Sequence, residues 1–302
     1  MIRAIRVLAP NAGPFTLEGT NTWIVGRGPS VVIDPGPDDA GHLLAVMDEG
    51  EPIGAVLLTH HHPDHAPGAA RLAETARAPV YAFRPEGEER RIGDGEVVPA
   101  GGLAIRAIHT PGHTADHLAF LVEEEGMLFT GDAVLGRGTS VVDPPEGDMA
   151  AYLRSLRSML RLGPRTIYPG HGPAVFDAED KLREYIEHRA ERETEILAAL
   201  ESGQQTPDEI VPGVYGAEVE PSMFRTAARS VLAHLLKLER EERVARVRRG
   251  EDRFVVLTPK PCERCGRRAP SGSRYCRRCA LAVLQEQPGS GEPTATSGDP
   301  VD

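Results

Sequence analysis

The stretch Thr59-His60-His61-His62-Pro63-Asp64-His65, directly after the apolar run Ile53–Leu58, limits what this chain can fold into more than any other feature. It fits the pattern H-x-H-x-D-H, and imidazole with carboxylate suits zinc, iron or manganese. With Ile53–Leu58 read as a buried strand, His60 and His62 stand two apart at its end and can aim at one ion. Asp64 and His65 fall where the next helix begins and can aim at a second ion beside it. A lone loop histidine is usually only solvated. This order and spacing is that of a metal centre.

Three later segments complete the set. His109-Thr110-Pro111-Gly112-His113 follows a strand, and Gly112 permits a sharp turn before His113. Gly131-Asp132 follows the run Met127–Thr130, and Pro169-Gly170-His171-Gly172 follows Thr166–Tyr168. Each alone reads as an ordinary turn. Each also lies just past a strand end, so the side chains can converge along one edge of the sheets. Short apolar runs alternate here with Gly, Pro and Asp turns. Strands are expected at 22–25, 31–33, 53–58, 80–83, 96–98, 103–109, 118–123, 127–130 and 166–168. Helices are expected at 39–49, 66–77 and 149–162, the last capped by Asp148. Strands interleaved with helices point to a layered α/β domain.

These residues resemble the metallo-β-lactamase superfamily, whose fold is an αββα sandwich. The likeness runs over about residues 15–175 and takes in Gly19-Thr20-Asn21-Thr22-Trp23 and Asp34-Pro35-Gly36. It implies one metal at His60, His62 and His113, and a second at Asp64, His65 and His171, with Asp132 bridging them. Departures narrow the likeness. Class B β-lactamases place a cysteine where Asp132 stands, and this chain has no Cys before residue 262. Flavin-linked di-iron members carry Glu where this chain has His62. Persulfide dioxygenases share the motifs but use one iron. The long insertion of the tRNA 3′-processing enzymes has no room between His113 and Asp132. Residues 109–117, 131–139 and 168–173 look most like the lactamase-like protein 2 family, whose catalytic domain is followed by a long helix and a winged-helix-like tail.

That resemblance implies a hydrolase with two Zn²⁺, or iron or manganese, in its catalytic site. A metal pair ~3.5–4 Å apart lowers the pKa of a bridging water and holds it as hydroxide, the expected nucleophile. Asp132 and Asp64 are the expected catalytic carboxylates. His61, His109 and His117 are candidates to hold the ligands in place from behind, and Asp116 stands beside them. The family's better-known branch favours an endoribonuclease-like phosphodiesterase on single-stranded RNA. The metal site alone fits equally a thioesterase of the hydroxyacylglutathione hydrolase type. The third reading is a nucleic-acid-binding protein without catalysis.

Charge divides the chain. At about 150 residues per domain, 302 residues make about two domains. The net charge of −11 argues against a nucleic-acid coat protein. Yet residues 221–280 hold 16 Lys and Arg against 6 Asp and Glu, while residues 1–220 carry a net −17. Residues 1–202 read as the catalytic domain with a long terminal helix over 177–201. Residues 203–257 read as a winged-helix-like module. Residues 258–284 read as a zinc ribbon and 285–302 as a disordered tail rich in Gly, Ser, Pro and Thr. The ribbon rests on Cys262, Cys265, Cys276 and Cys279, whose C-x₂-C-x₁₀-C-x₂-C spacing suits one structural zinc. Arg264, Arg267, Arg268, Arg274, Arg277 and Arg278 crowd it, and Arg225, Arg229, Arg243, Arg246, Arg248 and Arg249 crowd the module, a pattern that suits a nucleic-acid backbone and equally a solvated basic face or a protein contact. Winged helices also serve as lids or dimer contacts, so a homodimer is among the expected arrangements. No apolar run approaches the ~20 residues of a membrane span and the N-terminus lacks a signal-peptide pattern, so a cytoplasmic protein is expected.

Overall fold

The computed structural model describes residues 4–26, 28–50, 52–100, 102–216, 221–248, 250–257, 263–266 and 278–279. Two sheets face each other. The first has six strands in chain order: β1 (Ala4–Leu8), β2 (Asn21–Val25), β3 (Ser30–Ile33), β4 (Ile53–Leu57), β5 (Val80–Ala82) and β6 (Arg90–Arg91). The second runs β11 (Thr166–Pro169), β10 (Met127–Gly131), β9 (Leu118–Val122), β8 (Leu103–His109) and β7 (Val97–Ala100).

Period-two alternation sorts the side chains into layers. Trp23, Val25, Val31, Ile33, Ala55 and Leu57 meet Leu118, Phe120, Val122, Met127 and Phe129 between the sheets. Their neighbours Ile24, Val32, Val56 and Leu58 point the other way, onto α1 (Ala40–Gly50) and α2 (Gly68–Ala76). On the opposite face Ala119, Leu121 and Leu128 pack under α3 (Met149–Arg161) and α4 (Ala178–Glu201). This is the expected αββα sandwich. Asp148 caps α3 as expected, its side chain accepting from the Ala151 amide.

The C-terminal module packs on the end of α4. Ile196 and Leu200 join Ile210, Val211 and Val214 of α5 (Pro207–Tyr215) and Val231, Leu235 and Leu238 of α6 (Pro221–Arg240). A hairpin of β12 (Val244–Arg246) and β13 (Phe254–Val256) closes it, with Phe254 fully buried. Helix, helix, hairpin is the expected winged-helix arrangement. Among the described residues no helix is long and apolar enough to cross a membrane. Of the four cysteines, Cys262 and Cys276 lie outside the described residues, as does the tail 285–302.

Candidate metal centre

The seven candidate ligands stand on four loops, and the fold brings all of them to one edge of the sandwich. Ligand atoms of His60, His62, His113 and Asp132 lie within 4.8 Å of one another, and so do those of Asp64, His65 and His171. His113 Nε2 is 3.1 Å from His62 Nδ1, and His65 Nε2 is 3.3 Å from His171 Nε2. Asp132 stands between the groups. Its Oδ2 is 3.7 Å from His113 Nε2, and its Oδ1 is 3.4 Å from His65 Nε2 and 3.3 Å from His171 Nε2. Asp64 Oδ2 lies 3.1 Å from His171 Nε2. A tetrahedral ion held at ~2.1 Å spaces its ligands roughly 3.4 Å apart, so these separations suit a cation. Two buried atoms here, His60 Nε2 and Asp132 Oδ1, have no hydrogen-bond partner among the described residues. Buried polar groups seldom go unpaired, and an acceptor pair of this kind fits a metal.

Backbone shape makes the convergence possible. Gly112 holds φ +143°, and a Cβ there would stand 2.3 Å from Tyr152 Cα. Gly131 holds φ +46°, and a Cβ would meet Thr59 Oγ1 at 2.5 Å. Only glycine lets Asp132 follow β10 so closely beside the His60 loop.

Each imidazole is held from behind. The Thr59 hydroxyl donates to Asp34 Oδ2 (2.7 Å), so it accepts from His60 Nδ1–H (2.9 Å) and leaves His60 Nε2 bare. His65 Nδ1–H donates to the same Asp34 oxygen at 2.9 Å. The Val141 carbonyl takes His113 Nδ1–H at 2.7 Å, and the Gly19 carbonyl takes His171 Nδ1–H at 3.2 Å. His62 is turned the other way, with Nε2 3.6 Å from the Glu146 carboxylate. Asn21 ties down the last loop by donating to the carbonyls of Pro169 (2.9 Å) and Gly172 (2.8 Å), on either side of His171.

Electrostatics separates the two groups. Burial, then its imidazole neighbours, keeps His60 neutral well below the usual histidine range. Burial also lowers His113. In the other group burial opposes charge, but Asp132 and Asp34 outweigh it and push His65 well above the usual range. The Asp132 and Asp64 carboxylates likewise outweigh burial at His171 and raise it to about 9. Burial would raise Asp132, yet His65 and His171 hold it well below the carboxylate range. A cation entering this group displaces imidazole protons.

The three residues expected behind the ligands have different tasks. His117 Nε2 accepts from the Asp132 amide at 3.2 Å, and its Nδ1–H reaches Thr110 Oγ1 at 2.8 Å. Burial, foremost, lowers its pKa to about 3, which keeps Nε2 an acceptor. His61 pairs with Asp116 at 2.9 Å. His109 stacks on Phe83 and reaches the Ala115 carbonyl at 3.0 Å. None of the three hydrogen-bonds a ligand side chain. Sequence reasoning missed Asp34, Thr59, Asn21 and the Val141 carbonyl as anchors. Asp34 alone gave a signal: it too lies just past a strand end.

Beside the ligands opens a cavity of about 510 Å³. His62, Asp64, His113 and Asp132 form one side of it. Phe15, Leu17, Leu135 and Met223 supply apolar wall, and Asp143 and Glu146 stand among the lining residues. Met223 and Thr226 come from α6, so the C-terminal module forms part of the wall.

Among the described residues, four of the arginines that crowd the module pair with carboxylates of this chain. Arg229 pairs with Asp143, Arg243 with Glu193, Arg246 with Glu239 and Asp252, and Arg248 with Glu251. Arg225 is exposed, and Arg249, Arg267, Arg268, Arg274 and Arg277 lie outside the described residues.

The Metallo-beta-lactamase superfamily profile matches residues 15–171, and the beta-lactamase-associated winged helix domain matches residues 206–253. The chain is 40% identical over 260 residues to the lactamase-like protein aptB of Emericella nidulans, covering 80% of this chain and 82% of that protein. It is 38% identical over 259 residues to an atrochrysone carboxyl ACP thioesterase of Aspergillus chevalieri, covering 80% and 83%. A crystal structure of a metallo-beta-lactamase family protein from Thermus thermophilus superposes with TM-score 0.70 at 25% identity, covering 84% of this chain and 98% of that one. These relatives correct the expectation of an endoribonuclease-like branch: the similarity lies with fungal thioesterase-like proteins. A metal-dependent hydrolase and a member of the metallo-beta-lactamase superfamily, the chain joins that superfamily's sandwich to its associated winged helix.

Proposed function

We propose that this protein hydrolyses an acyl thioester whose acyl part is apolar or aromatic. The observation that carries the reading is the cavity: Phe15, Leu17, Leu135 and Met223 line it beside the His and Asp cluster. An RNA backbone brought to the same place would meet Asp143 and Glu146. The relatives named as acyl carrier protein thioesterases support the same substrate class.

In this reading His60, His62 and His113 would hold one divalent cation and Asp64, His65 and His171 the other, with the Asp132 carboxylate standing between the two groups. The pair supplies a water of lowered pKa and a Lewis acid for the thioester carbonyl. The apolar wall positions the acyl group and excludes water from it. Asp64 lines the cavity, and its carboxylate, kept ionised against burial by His171 and His65, can orient the attacking water by accepting a hydrogen bond from it. The cysteine spacing of the tail supports a separate structural zinc at Cys262, Cys265, Cys276 and Cys279.

The test is to give the metal-replete full chain a panel of aromatic and aliphatic acyl thioesters and, separately, single-stranded RNA. Thiol release is expected, stopped by chelator and absent in His60→Ala. RNA cleavage without thioester turnover would overturn the reading.

A further inference from the structure

Arg189 is the largest fully buried side chain of the described residues, only 2% exposed. It projects from α4, and among the described residues no carboxylate pairs with it. A guanidinium buried without a counter-charge is costly unless its donors are used. One arm is used: Arg189 Nη2 donates to the Ser140 carbonyl at 2.5 Å. Its Cζ lies 5.4 Å from the centre of the Tyr152 ring, a cation–π contact.

Ser140 precedes Val141, whose carbonyl receives the His113 Nδ1 proton. The segment between Asp132 and Val142 is tethered from behind at three points. Tyr152 Oη donates to the Ala133 carbonyl at 2.7 Å. Tyr185 Oη accepts from the Leu135 amide at 2.9 Å and donates to the Gly138 carbonyl at 3.0 Å. Arg189 is the third tether, one peptide from Val141. An arginine fits where its long stem must cross a packed layer and still present a fixed donor.

We propose that Arg189 is a positioning residue. By fixing the Ser140 carbonyl it sets the next peptide so that Val141 takes the His113 proton at Nδ1, which leaves His113 Nε2 bare toward the centre. The long helix α4 thereby orients a ligand it never touches. This inference rests on the reading of His113 as a metal ligand.

The experiment compares Arg189→Met, Arg189→Gln and Arg189→Lys with Ile196→Ala, which thins the same helix's packing away from the segment. Zinc affinity is measured in the full chain by chelator competition, and the His113 ring tautomer by nitrogen NMR of the metal-free protein. Met and Gln are expected to weaken the binding of one zinc by about 10- to 100-fold, with the His113 Nδ1–H preference lost and kcat lowered more than KM is raised. Lys is expected to recover most of this, and Ile196→Ala to lower only the melting temperature. Wild-type zinc affinity and tautomer in Arg189→Met would overturn the proposal. If that variant does not fold, the same result in Arg189→Gln would do so. His113→Ala separates the two levels: unchanged zinc affinity there sinks the ligand reading, whereas weakened affinity there with none in the Arg189 variants sinks only this inference.

Discussion

Among the buried polar atoms that no described group satisfies, those of two places differ in kind. At the sheet edge they are His60 Nε2 and Asp132 Oδ1, set among carboxylates. At the seam between α4 and α6 they are His188 Nδ1, Arg189 Nε and both ring nitrogens of His234. The first set offers lone pairs and negative charge, which is what a cation requires. The second offers chiefly N–H groups among cations: Arg192 Nε donates to His188 Nε2 at 3.2 Å, which makes the opposite nitrogen a donor. An unpaired buried polar atom therefore marks a metal site only where the lone pairs of several ligands meet.

Removing a ligand should have the largest effect. His60→Ala or Asp132→Ala is expected to lower hydrolysis by more than the roughly 100-fold seen when residues behind ligands are changed. A folded Asp132→Ala protein with full turnover would break the contrast. Asp34→Asn comes next, since it weakens the support of both Thr59 and His65. A loss of about 10- to 100-fold in metal affinity is expected, read by chelator competition.

The seam predicts an opposite sign. His234→Leu removes a fully buried ring without partners and is expected to stabilise the protein by about 1 kcal/mol at pH 8. It should also flatten the acid response. Burial, then Arg189 and Lys237, holds His234 neutral well below the ordinary histidine range. The unfolded chain takes up a proton near pH 6.5 that native His234 refuses, so this residue's contribution to stability falls as pH drops below about 6.5. Urea unfolding at pH 8, 6.5 and 5 measures the slope, and parallel slopes for wild type and His234→Leu would contradict the assignment.

The smallest effect is expected at the solvated contact between module and sandwich. Arg240→Ala removes a pair with Asp148, which goes on capping α3. About 0.5 kcal/mol is expected by the same unfolding measurement.

The candidate centre was legible in the sequence because its chemistry depends on residue type at strand ends. What lay beyond reach were contacts made by approach in space. Asp34 meets Thr59 across 25 positions, and the Val141 carbonyl meets His113 across 28. A main-chain acceptor has no residue type to signal it. The apolar strands announced themselves by alternation, whereas β1 escaped because it is a half-exposed edge of mixed residues. α5 runs on to Tyr215 past Pro212, although a proline inside a pattern ordinarily signals a stop. Proline at that depth loses only a bond to the first turn, and burial of Val214 compensates. The basic stretch misled for a simpler reason: a count of arginines does not reveal that most of those described already face carboxylates.

Asn21 and His171 carry a consequence for the order in which the molecule is made. Asn21 sits near the start of the chain, but its hydrogen bonds reach Pro169 and Gly172, 148 and 151 positions later. A growing chain can expose the chelating run from His60 to His65 long before the strand that supplies His171 exists. Until that strand arrives the early ligands are loose and could take any available cation. Bringing both candidate ligand groups together, with Asp132 between them, therefore waits for the sandwich to close on itself, and on the proposed reading ion selection belongs to the last step of its assembly.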